Sequence, residues 1–154
     1  MPNTAEQPLS LEFSATDTNV RETMRQVMAR IGAAGVAMED ANRLEIALAE
    51  ALNNVVEHGF AGLDPGIVRL DLQSVPTSIR VEIADGGHPY PNNRLPEPKR
   101  HDLTCELADL PEGGFGWTLI HDLVSKIEYN RRAGENHLCM IFDLTVAEQA
   151  RAEE

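Results

Sequence analysis

Residues 50–59, Glu-Ala-Leu-Asn-Asn-Val-Val-Glu-His-Gly, close a predicted helix and carry its most informative polar side chains. Glu50, Asn54 and His58 are spaced i, i+4, i+8, so at about 100° per residue they form one polar stripe. The stripe lies roughly opposite the apolar arc of the same helix. The simplest interpretation of such a stripe is the solvated face of an amphipathic helix.

The same three side chains also suit a site that handles phosphate groups. The amide oxygen of Asn54 is a hard ligand of the kind that Mg2+ prefers. A carboxylate one turn away, at Glu50, can polarise a water or a hydroxyl as a general base. His58 can hold the end of the helix or reach a phosphate. The residue types therefore leave both a solvated face and a catalytic face open.

The segments that precede this helix predict a strand and an amphipathic helix. Residues 9–15 alternate apolar and polar side chains, as a half-buried strand does. Asp17 or Thr18 can cap the helix that follows, and Gly32 and Gly35 are expected to end it.

The rest of the chain alternates between helical and strand periodicity around one long loop. The predicted elements are, in chain order, a helix over residues 39–58, strands over 67–72 and 79–83, a loop over 86–113, a helix over 117–124, and strands over 126–131 and 137–144 joined by a turn over 133–136. Hairpin strands with helices between them predict an α+β fold, a two-layer sandwich with a mostly antiparallel sheet. Residues 1–154 contain no repeat and no linker, so we expect a single domain.

A second polar segment, Asp85-Gly86-Gly87, follows directly on a predicted strand. A carboxylate at this place can accept a hydrogen bond from an exocyclic amine, while a glycine lets backbone pass close to a ring. Asp-Gly is also among the commonest turn dipeptides, so a plain turn is the alternative.

A third segment, Gly113-Gly114-Phe115-Gly116, precedes the predicted helix that starts at Trp117. Glycines allow backbone N–H groups to converge on an anion, and a helix N-terminus adds the positive end of its dipole. A flexible hinge is the alternative interpretation. The segment is not a P-loop, because Trp117-Thr118 stands where Lys-Ser/Thr would follow.

Charge and composition narrow the class of protein. The formal net charge is −12, with 13 basic residues against 25 acidic ones, which argues against nucleic acid as a direct partner. The two cysteines, Cys105 and Cys139, match no disulfide framework or zinc spacing. No secretory signal is visible, and no apolar run approaches the roughly 20 residues that cross a bilayer. We therefore expect a cytoplasmic protein without a membrane span.

Taken together, the three segments resemble the nucleotide-binding boxes of the Bergerat-fold (GHKL) ATPase superfamily, which includes gyrase, heat-shock chaperones, histidine kinases and MutL. Residues 50–59 resemble its N box, residues 85–89 its Asp-x-Gly-x-Gly/Pro box, and residues 114–120 the glycine box after the ATP lid. Within the superfamily, Glu-x-x-x-Asn-x-x-x-His-Gly is similar to the anti-sigma-factor serine/threonine kinase branch. The resemblance spans nearly the whole chain and implies a histidine-kinase-like α/β sandwich.

The resemblance implies a role for each segment. Asn54 would ligate the Mg2+ that bridges the ATP phosphates, and Glu50 would be the general base. Asp85 would bind the adenine amino group, with Gly87 allowing the base to approach. Residues 88–112 would form the lid. The remaining nucleotide-binding positions implied are His58, whose role the pattern leaves open, and Gly114, Phe115, Gly116, Trp117 and Thr118.

The implied function is an anti-sigma regulator, which phosphorylates a Ser or Thr of an anti-sigma-factor antagonist and sequesters a sigma factor, as a homodimer. The alternative is a nucleotide-responsive binding module without kinase activity. It is favoured by one departure from the family pattern: Glu112, Gly113 and Phe115 stand where related kinases can place a basic residue. Lys99 and Arg100 in the lid are candidate substitutes. The detached catalytic domain of a histidine kinase fits the first box and the lid less well.

Overall fold

Five strands, three α-helices and two short helical turns are present in the computed structural model, which describes residues 7–97 and 115–145. The strands are β1 (Leu9–Ser14), β2 (Ile67–Val75), β3 (Ser78–Asp85), β4 (Lys126–Arg132) and β5 (Glu135–Asp143); the helices are α1 (Asp17–Ala33), α2 (Met38–Asn54) and α3 (Phe115–Leu123). A π-helical turn over Val55–Gly59 continues α2, and a 3-10 turn over Pro91–Asn93 lies inside the predicted loop.

The strands form one sheet in the order β1-β2-β3-β5-β4, and every neighbouring pair is antiparallel. The predicted α+β architecture is therefore confirmed. The turn between β4 and β5 is shorter than predicted, because Arg132 already pairs with Glu135. Ala133 and Gly134 alone make the turn, at φ values of 53° and 77°, as a two-residue hairpin loop requires.

One face of the sheet forms the core with the helices, and the other is open. Alternate residues of β2, β3 and β5 are buried, while those between them are exposed or half-buried. The buried apolar side chains of the sheet join those of all three helices in one cluster, which fits a two-layer sandwich. Two polar residues, Asp85 and Asn136, occupy buried positions of this alternation, side by side at the ends of β3 and β5.

The start of α1 differs from the prediction by one residue. Thr16, rather than Asp17 or Thr18, is the N-cap: its backbone is extended, and its hydroxyl accepts a hydrogen bond of 3.2 Å from the N–H of Asn19. This is the usual geometry of a capping threonine. Asp17 is the first helical residue, where its negative charge faces the positive end of the helix dipole.

The end of α1 lies beyond the first predicted stop. The helix passes through Gly32 and ends at Ala33. Gly35 then adopts a φ of 77°, and the N–H groups of Gly35 and Val36 donate back to the carbonyls of Gly32 and Ile31. This pair of bonds is a Schellman motif, in which the residue with positive φ closes the helix. Gly35 is therefore the stop signal, and Gly32 is not.

The predicted helix over residues 39–58 is wrong in its last turn. The α-helix ends at Asn54, and the turn that follows is π-helical, with the N–H of Phe60 donating to the carbonyl of Val55 at 3.1 Å. The wider turn carries the Phe60 ring into the core, where it lies directly against Gly66. Burial of this aromatic ring makes a favourable contribution to the free energy of folding, which compensates for the cost of the irregular π-helical backbone.

Candidate functional site

The N-terminus of α3 lies against the polar face of α2. A Cβ atom built on Gly116 would be 2.7 Å from Oε2 of Glu50 and 3.7 Å from Nδ2 of Asn54. Real Cβ atoms do not approach an oxygen this closely, so any residue larger than glycine would displace the Glu50 carboxylate from its observed position. The first and third segments singled out in the sequence therefore meet, with the positive end of a helix dipole beside a carboxylate.

Asn54 has an unsatisfied amide at this junction. Its Nδ2 atom is buried and has no hydrogen-bond partner among the residues that the structure describes. A buried polar atom left without a partner costs about 1–3 kcal/mol. Because the oxygen and nitrogen of an amide are assigned by their surroundings, the same position can present either a donor to a phosphate or an oxygen to a cation. The residues present thus fit a bound phosphate–magnesium group.

Asp85 ends β3 as a buried carboxylate with one oxygen engaged. Its Oδ1 accepts hydrogen bonds from the N–H of Gly87 at 2.9 Å and from Nδ2 of Asn136 at 3.1 Å. Burial raises the pKa of Asp85, although these two bonds and the positive charge of Arg131 act in the opposite direction. Within residues 7–97 and 115–145, no donor reaches Oδ2, which leaves that oxygen for an external amine.

Gly87 connects Asp85 to the end of the α2 segment. A Cβ atom on Gly87 would lie 2.4 Å from the backbone oxygen of Gly59 and 2.9 Å from Oδ1 of Asp85. The same Gly59 oxygen accepts a hydrogen bond of 2.6 Å from the N–H of His88. The segment Asp85–Gly87 is thus packed against, and hydrogen-bonded through His88 to, the π-helical turn that follows α2. Gly116 and Gly87 thus each lie against the polar segment that ends α2.

His58 occupies a different environment from Glu50 and Asn54. Its side chain is exposed, whereas those of Glu50 and Asn54 are half-buried. The π-helical turn departs from the α-helical spacing on which the predicted stripe depends. Within the described part of the chain, the His58 ring makes no hydrogen bond, and the backbone of Gly59 holds the helix end. A role for His58 in nucleotide binding stays a prediction.

The glycine-box residues are placed only in part. Trp117 and Thr118 are buried on the inner side of α3, and the Trp117 ring packs edge-to-face on Tyr90 at 5.3 Å between centroids. Phe115 is the first residue of α3, and its side chain is not described. Gly114 lies outside the described residues, as do Lys99, Arg100, Glu112 and Gly113 and most of the predicted lid.

Asn136 is a site residue that sequence reasoning missed. It is buried at the start of β5, directly opposite Asp85 in the sheet. A signal for it does exist, because Asn136 falls on the same alternate positions as Leu138, Met140 and Phe142, which are all buried. A polar residue at a buried position of a strand needs hydrogen-bond partners inside the protein. Here those partners belong to the candidate site.

Tyr129 and Arg131 of β4 are two further residues that the sequence did not reveal. The Tyr129 hydroxyl donates to Oδ1 of Asn136 at 2.6 Å. Nη1 of Arg131 donates to the same oxygen and to the carbonyl of Gly87, both at 2.9 Å. Both side chains therefore support the Asp85 loop from the neighbouring strand.

Comparison with known proteins agrees with this geometry. The chain belongs to the histidine kinase-like ATPase domain family, which it matches over residues 13–142. It is 36% identical over 92 residues to the serine/threonine-protein kinase BtrW of Bordetella bronchiseptica, covering 59% of this chain and 62% of that protein. It is 30% identical over 125 residues to the serine-protein kinase RsbW of Bacillus thuringiensis, covering 79% of this chain and 72% of that protein.

A solved structure has the same fold. The crystal structure of the RsbU and RsbW domains of Rv1364c from Mycobacterium tuberculosis superposes with a TM-score of 0.59 at 20% identity, covering 90% of this chain and 32% of that one. The resemblance to Bergerat-fold ATPases is therefore confirmed, together with the likeness to serine kinases. None of the helices in the described ranges has the length and apolar character needed to cross a membrane.

Proposed function

We propose that this protein is an anti-sigma regulatory kinase, which binds Mg-ATP, phosphorylates a Ser or Thr of an anti-sigma-factor antagonist and sequesters a sigma factor. The observation that carries the proposal is the close approach of Gly116 to the Glu50 carboxylate and the Asn54 amide. This proximity supports the proposal, because a carboxylate that could act as a general base and an amide that could hold a metal ion lie beside a helix N-terminus. The likeness to two proteins named serine kinases supports the reaction class.

The adenine end of the proposed site is Asp85. Its Oδ1 is occupied by Gly87 and Asn136, so its Oδ2 is the oxygen that would accept a hydrogen bond from the exocyclic amine of adenine. Gly87 has no side chain to obstruct the base, and it has no room for one. The buried position of the carboxylate makes such a bond stronger than it would be in water.

The phosphate end of the proposed site is formed by Glu50, Asn54 and the start of α3. Asn54 would hold a magnesium ion, which when bound neutralises charge on the phosphate oxygens. The Glu50 carboxylate would accept the proton of the attacking hydroxyl on one of its Oε atoms. The backbone N–H groups at the start of α3 would orient the terminal phosphate.

A nucleotide-responsive binding module without transfer activity is the second candidate. It is favoured by Glu112, Gly113 and Phe115, none of them basic, at the positions where related kinases can place a phosphate-contacting cation. Arg131 is committed to the adenine side, where it bonds to Gly87 and Asn136. In this reading, ATP would order the partner-binding surface without being consumed.

Two measurements with the whole chain separate the candidates. Calorimetric titration with Mg-ATP measures nucleotide binding, and incubation with γ-labelled ATP and a panel of candidate antagonist proteins measures transfer to a Ser or Thr. We expect binding in both wild type and Glu50→Gln, and transfer in wild type only. Glu45→Gln is the matched control, because Glu45 lies on the same helix with an exposed side chain.

Each outcome favours one candidate. Label on an antagonist that disappears in Glu50→Gln and persists in Glu45→Gln supports the kinase. Tight binding of Mg-ATP without label on any antagonist that forms a complex with the protein supports the binding module. Absence of nucleotide binding in wild type, with no change in Asp85→Asn, would overturn both.

A further inference from the structure

A buried network connects Asp85 to the segment that follows it. Nδ2 of Asn136 donates both to Asp85, at 3.1 Å, and to the backbone carbonyl of His88, at 2.9 Å. Oδ1 of Asn136 accepts from the Tyr129 hydroxyl at 2.6 Å and from Arg131 at 2.9 Å. Because Tyr129 and Arg131 both donate to Oδ1, the Asn136 amide can adopt only one orientation. In this orientation its N–H groups point toward Asp85 and His88.

The network continues into the first residues of the predicted lid. The N–H of Tyr90 donates to the Tyr129 hydroxyl at 3.3 Å, so this hydroxyl accepts from one side and donates to Asn136 on the other. The Tyr90 ring packs edge-to-face on the Tyr129 ring, with centroids 4.9 Å apart. Hydrogen bonds in such a chain polarise and strengthen one another.

The same ring reaches the phosphate side of the site. Tyr90 packs edge-to-face on Trp117, which is the residue after Gly116 in α3. Edge-to-face pairs hold a preferred mutual orientation, so a shift of Tyr90 changes the surroundings of the Trp117 ring. Asp85, the start of the lid and α3 are thereby in continuous contact through Asn136, Tyr129 and Tyr90.

We propose that Asn136 and Tyr129 are positioning residues, which set the orientation of the Asp85 carboxylate and transmit nucleotide binding from the adenine end to the segment His88–Tyr90 and to α3. Neither contacts the reacting atoms: Asn136 acts through Asp85, and Tyr129 acts through Asn136 and Tyr90. This inference rests on the proposed nucleotide site and adds to it a coupling between its two ends.

Trp117 provides the readout, because it is the only tryptophan of the chain and it contacts Tyr90. Titration with Mg-ADP, followed by both calorimetry and tryptophan fluorescence, measures affinity and coupling together. We expect Tyr129→Phe, which removes one hydroxyl and keeps the ring, to weaken binding about threefold to tenfold. We expect the fluorescence change at saturating nucleotide to fall by half or more.

Ser10→Ala is the control. It also removes one hydrogen-bonding hydroxyl, but that hydroxyl donates to Asp71 between β1 and β2, at the edge of the sheet opposite β4. We expect its affinity and fluorescence response to equal those of wild type. Equal effects of Tyr129→Phe and Ser10→Ala would show a general effect of losing a hydroxyl, rather than a coupling through Tyr129, and would overturn the proposal.

Asn136→Ala supplies a second, independent measurement. Loss of its bond to Asp85 removes one interaction that lowers the pKa of this carboxyl, while Arg131 of β4 lowers it and Glu135 of β5 raises it as before. The pH at which Mg-ADP affinity declines should therefore move upward. An unchanged pH profile in a folded Asn136→Ala protein contradicts the proposal.

The outcomes remain distinct from those of the proposed function. If Asn136→Ala does not fold, Tyr129→Phe still decides the inference. Wild-type affinity and an undiminished fluorescence response in Tyr129→Phe overturn the coupling and leave the nucleotide site intact. Failure of wild type to bind Mg-ADP or Mg-ATP overturns the proposed function, and the inference with it.

Discussion

Gly116 and Glu50 lie so close that a methyl group on residue 116 would come within 2.7 Å of the Glu50 carboxylate. The atom that it would meet is the end of a flexible side chain, so Gly116→Ala is expected to fold and to displace the carboxylate. A displaced general base slows phosphoryl transfer, here by about tenfold to a hundredfold, with a smaller effect on Mg-ATP binding. Transfer of γ-labelled phosphate and calorimetric binding measure the two effects.

Gly32→Ala is the control for this prediction. Gly32 lies within α1, is exposed, and has no atom within 4 Å of an added Cβ. Replacing it should leave transfer unchanged and stabilise the fold by about 0.5–1 kcal/mol, since alanine is the better helix former. Equal transfer by Gly116→Ala and wild type would show that Glu50 is not acting from its observed position.

Gly87→Ala should be more damaging than Gly116→Ala, because the atom opposing its Cβ belongs to the backbone. The added methyl would meet the Gly59 oxygen at 2.4 Å, and neither chain segment can yield without losing the His88–Gly59 hydrogen bond. We expect a loss of about 1–3 kcal/mol in the free energy of unfolding and no measurable nucleotide binding. Urea titration and calorimetry test this.

The neighbouring Gly86 makes a strict comparison for Gly87. An added Cβ on Gly86 meets nothing within 4 Å, and the residue is exposed. Gly86→Ala should therefore keep both stability and Mg-ATP affinity close to wild type. Similar losses in the two variants would mean that chain flexibility, rather than the contact with Gly59, matters in this loop.

Asp85→Asn should raise stability while it weakens nucleotide binding. Burial raises the pKa of Asp85 above its unfolded value, so the folded protein holds the proton more tightly, and this contribution to stability is lost as pH rises. Asparagine carries no charge at any pH, so the variant does not lose stability as the pH rises. Its side-chain oxygen can still accept hydrogen bonds from Gly87 and Asn136. We expect a higher melting temperature than wild type at pH 7, with the difference vanishing below about pH 4.

The same carboxylate should make nucleotide affinity depend on pH. As pH falls through the raised pKa, Asp85 becomes protonated and loses an acceptor for the adenine amine. Wild-type affinity should therefore decline in mild acid, whereas Asp85→Asn should bind about tenfold to a hundredfold more weakly at neutral pH. Calorimetry from neutral pH down to about pH 4, the ordinary pKa of an aspartate, measures this dependence. Unchanged binding by Asp85→Asn would remove Asp85 from the site.

Asp40 should be a stabilising residue outside the nucleotide site. It is buried, its Oδ1 accepts from Arg43 at 2.7 Å, and its Oδ2 accepts from the N–H and hydroxyl of Thr145, each at 3.0 Å. Burial by itself would raise the pKa of Asp40, but these bonds outweigh it and lower the pKa. Asp40→Ala should cost about 1–3 kcal/mol at pH 7, measured by urea titration.

The sign of the pKa shift sets the pH dependence of this effect. Because the pKa of Asp40 is lower in the folded protein than in the unfolded chain, the ionised carboxylate stabilises the fold at every pH above its unfolded pKa, which is about 4. This stabilisation is lost as the pH falls through the pKa of the folded protein. The gap between wild type and Asp40→Ala should therefore narrow in acid. Asp71→Ala is the control, because Asp71 is an exposed carboxylate bonded to Ser10; a comparable loss there would contradict the argument.

The local sequence predicted those parts of the fold that depend on neighbours along the chain. Alternating apolar residues located every strand to within two or three residues at each end, and Asp85 was placed correctly at a strand end. The π-helical turn after Asn54 was not predicted. It depends on where the Phe60 ring finds space against Gly66, which is a property of the assembled core.

Glu50, Asn54, Asp85 and Gly116 were determined as candidates by the sequence itself, because helix periodicity, strand ends and glycine clusters are local features. Only the tertiary structure decided that Asn136 and Tyr129 support Asp85. Asn136 lies 51 residues further along the chain, and it meets Asp85 because β3 and β5 pair as antiparallel neighbours. Contacts between distant strands depend on the register of the folded sheet, which no short window of sequence contains.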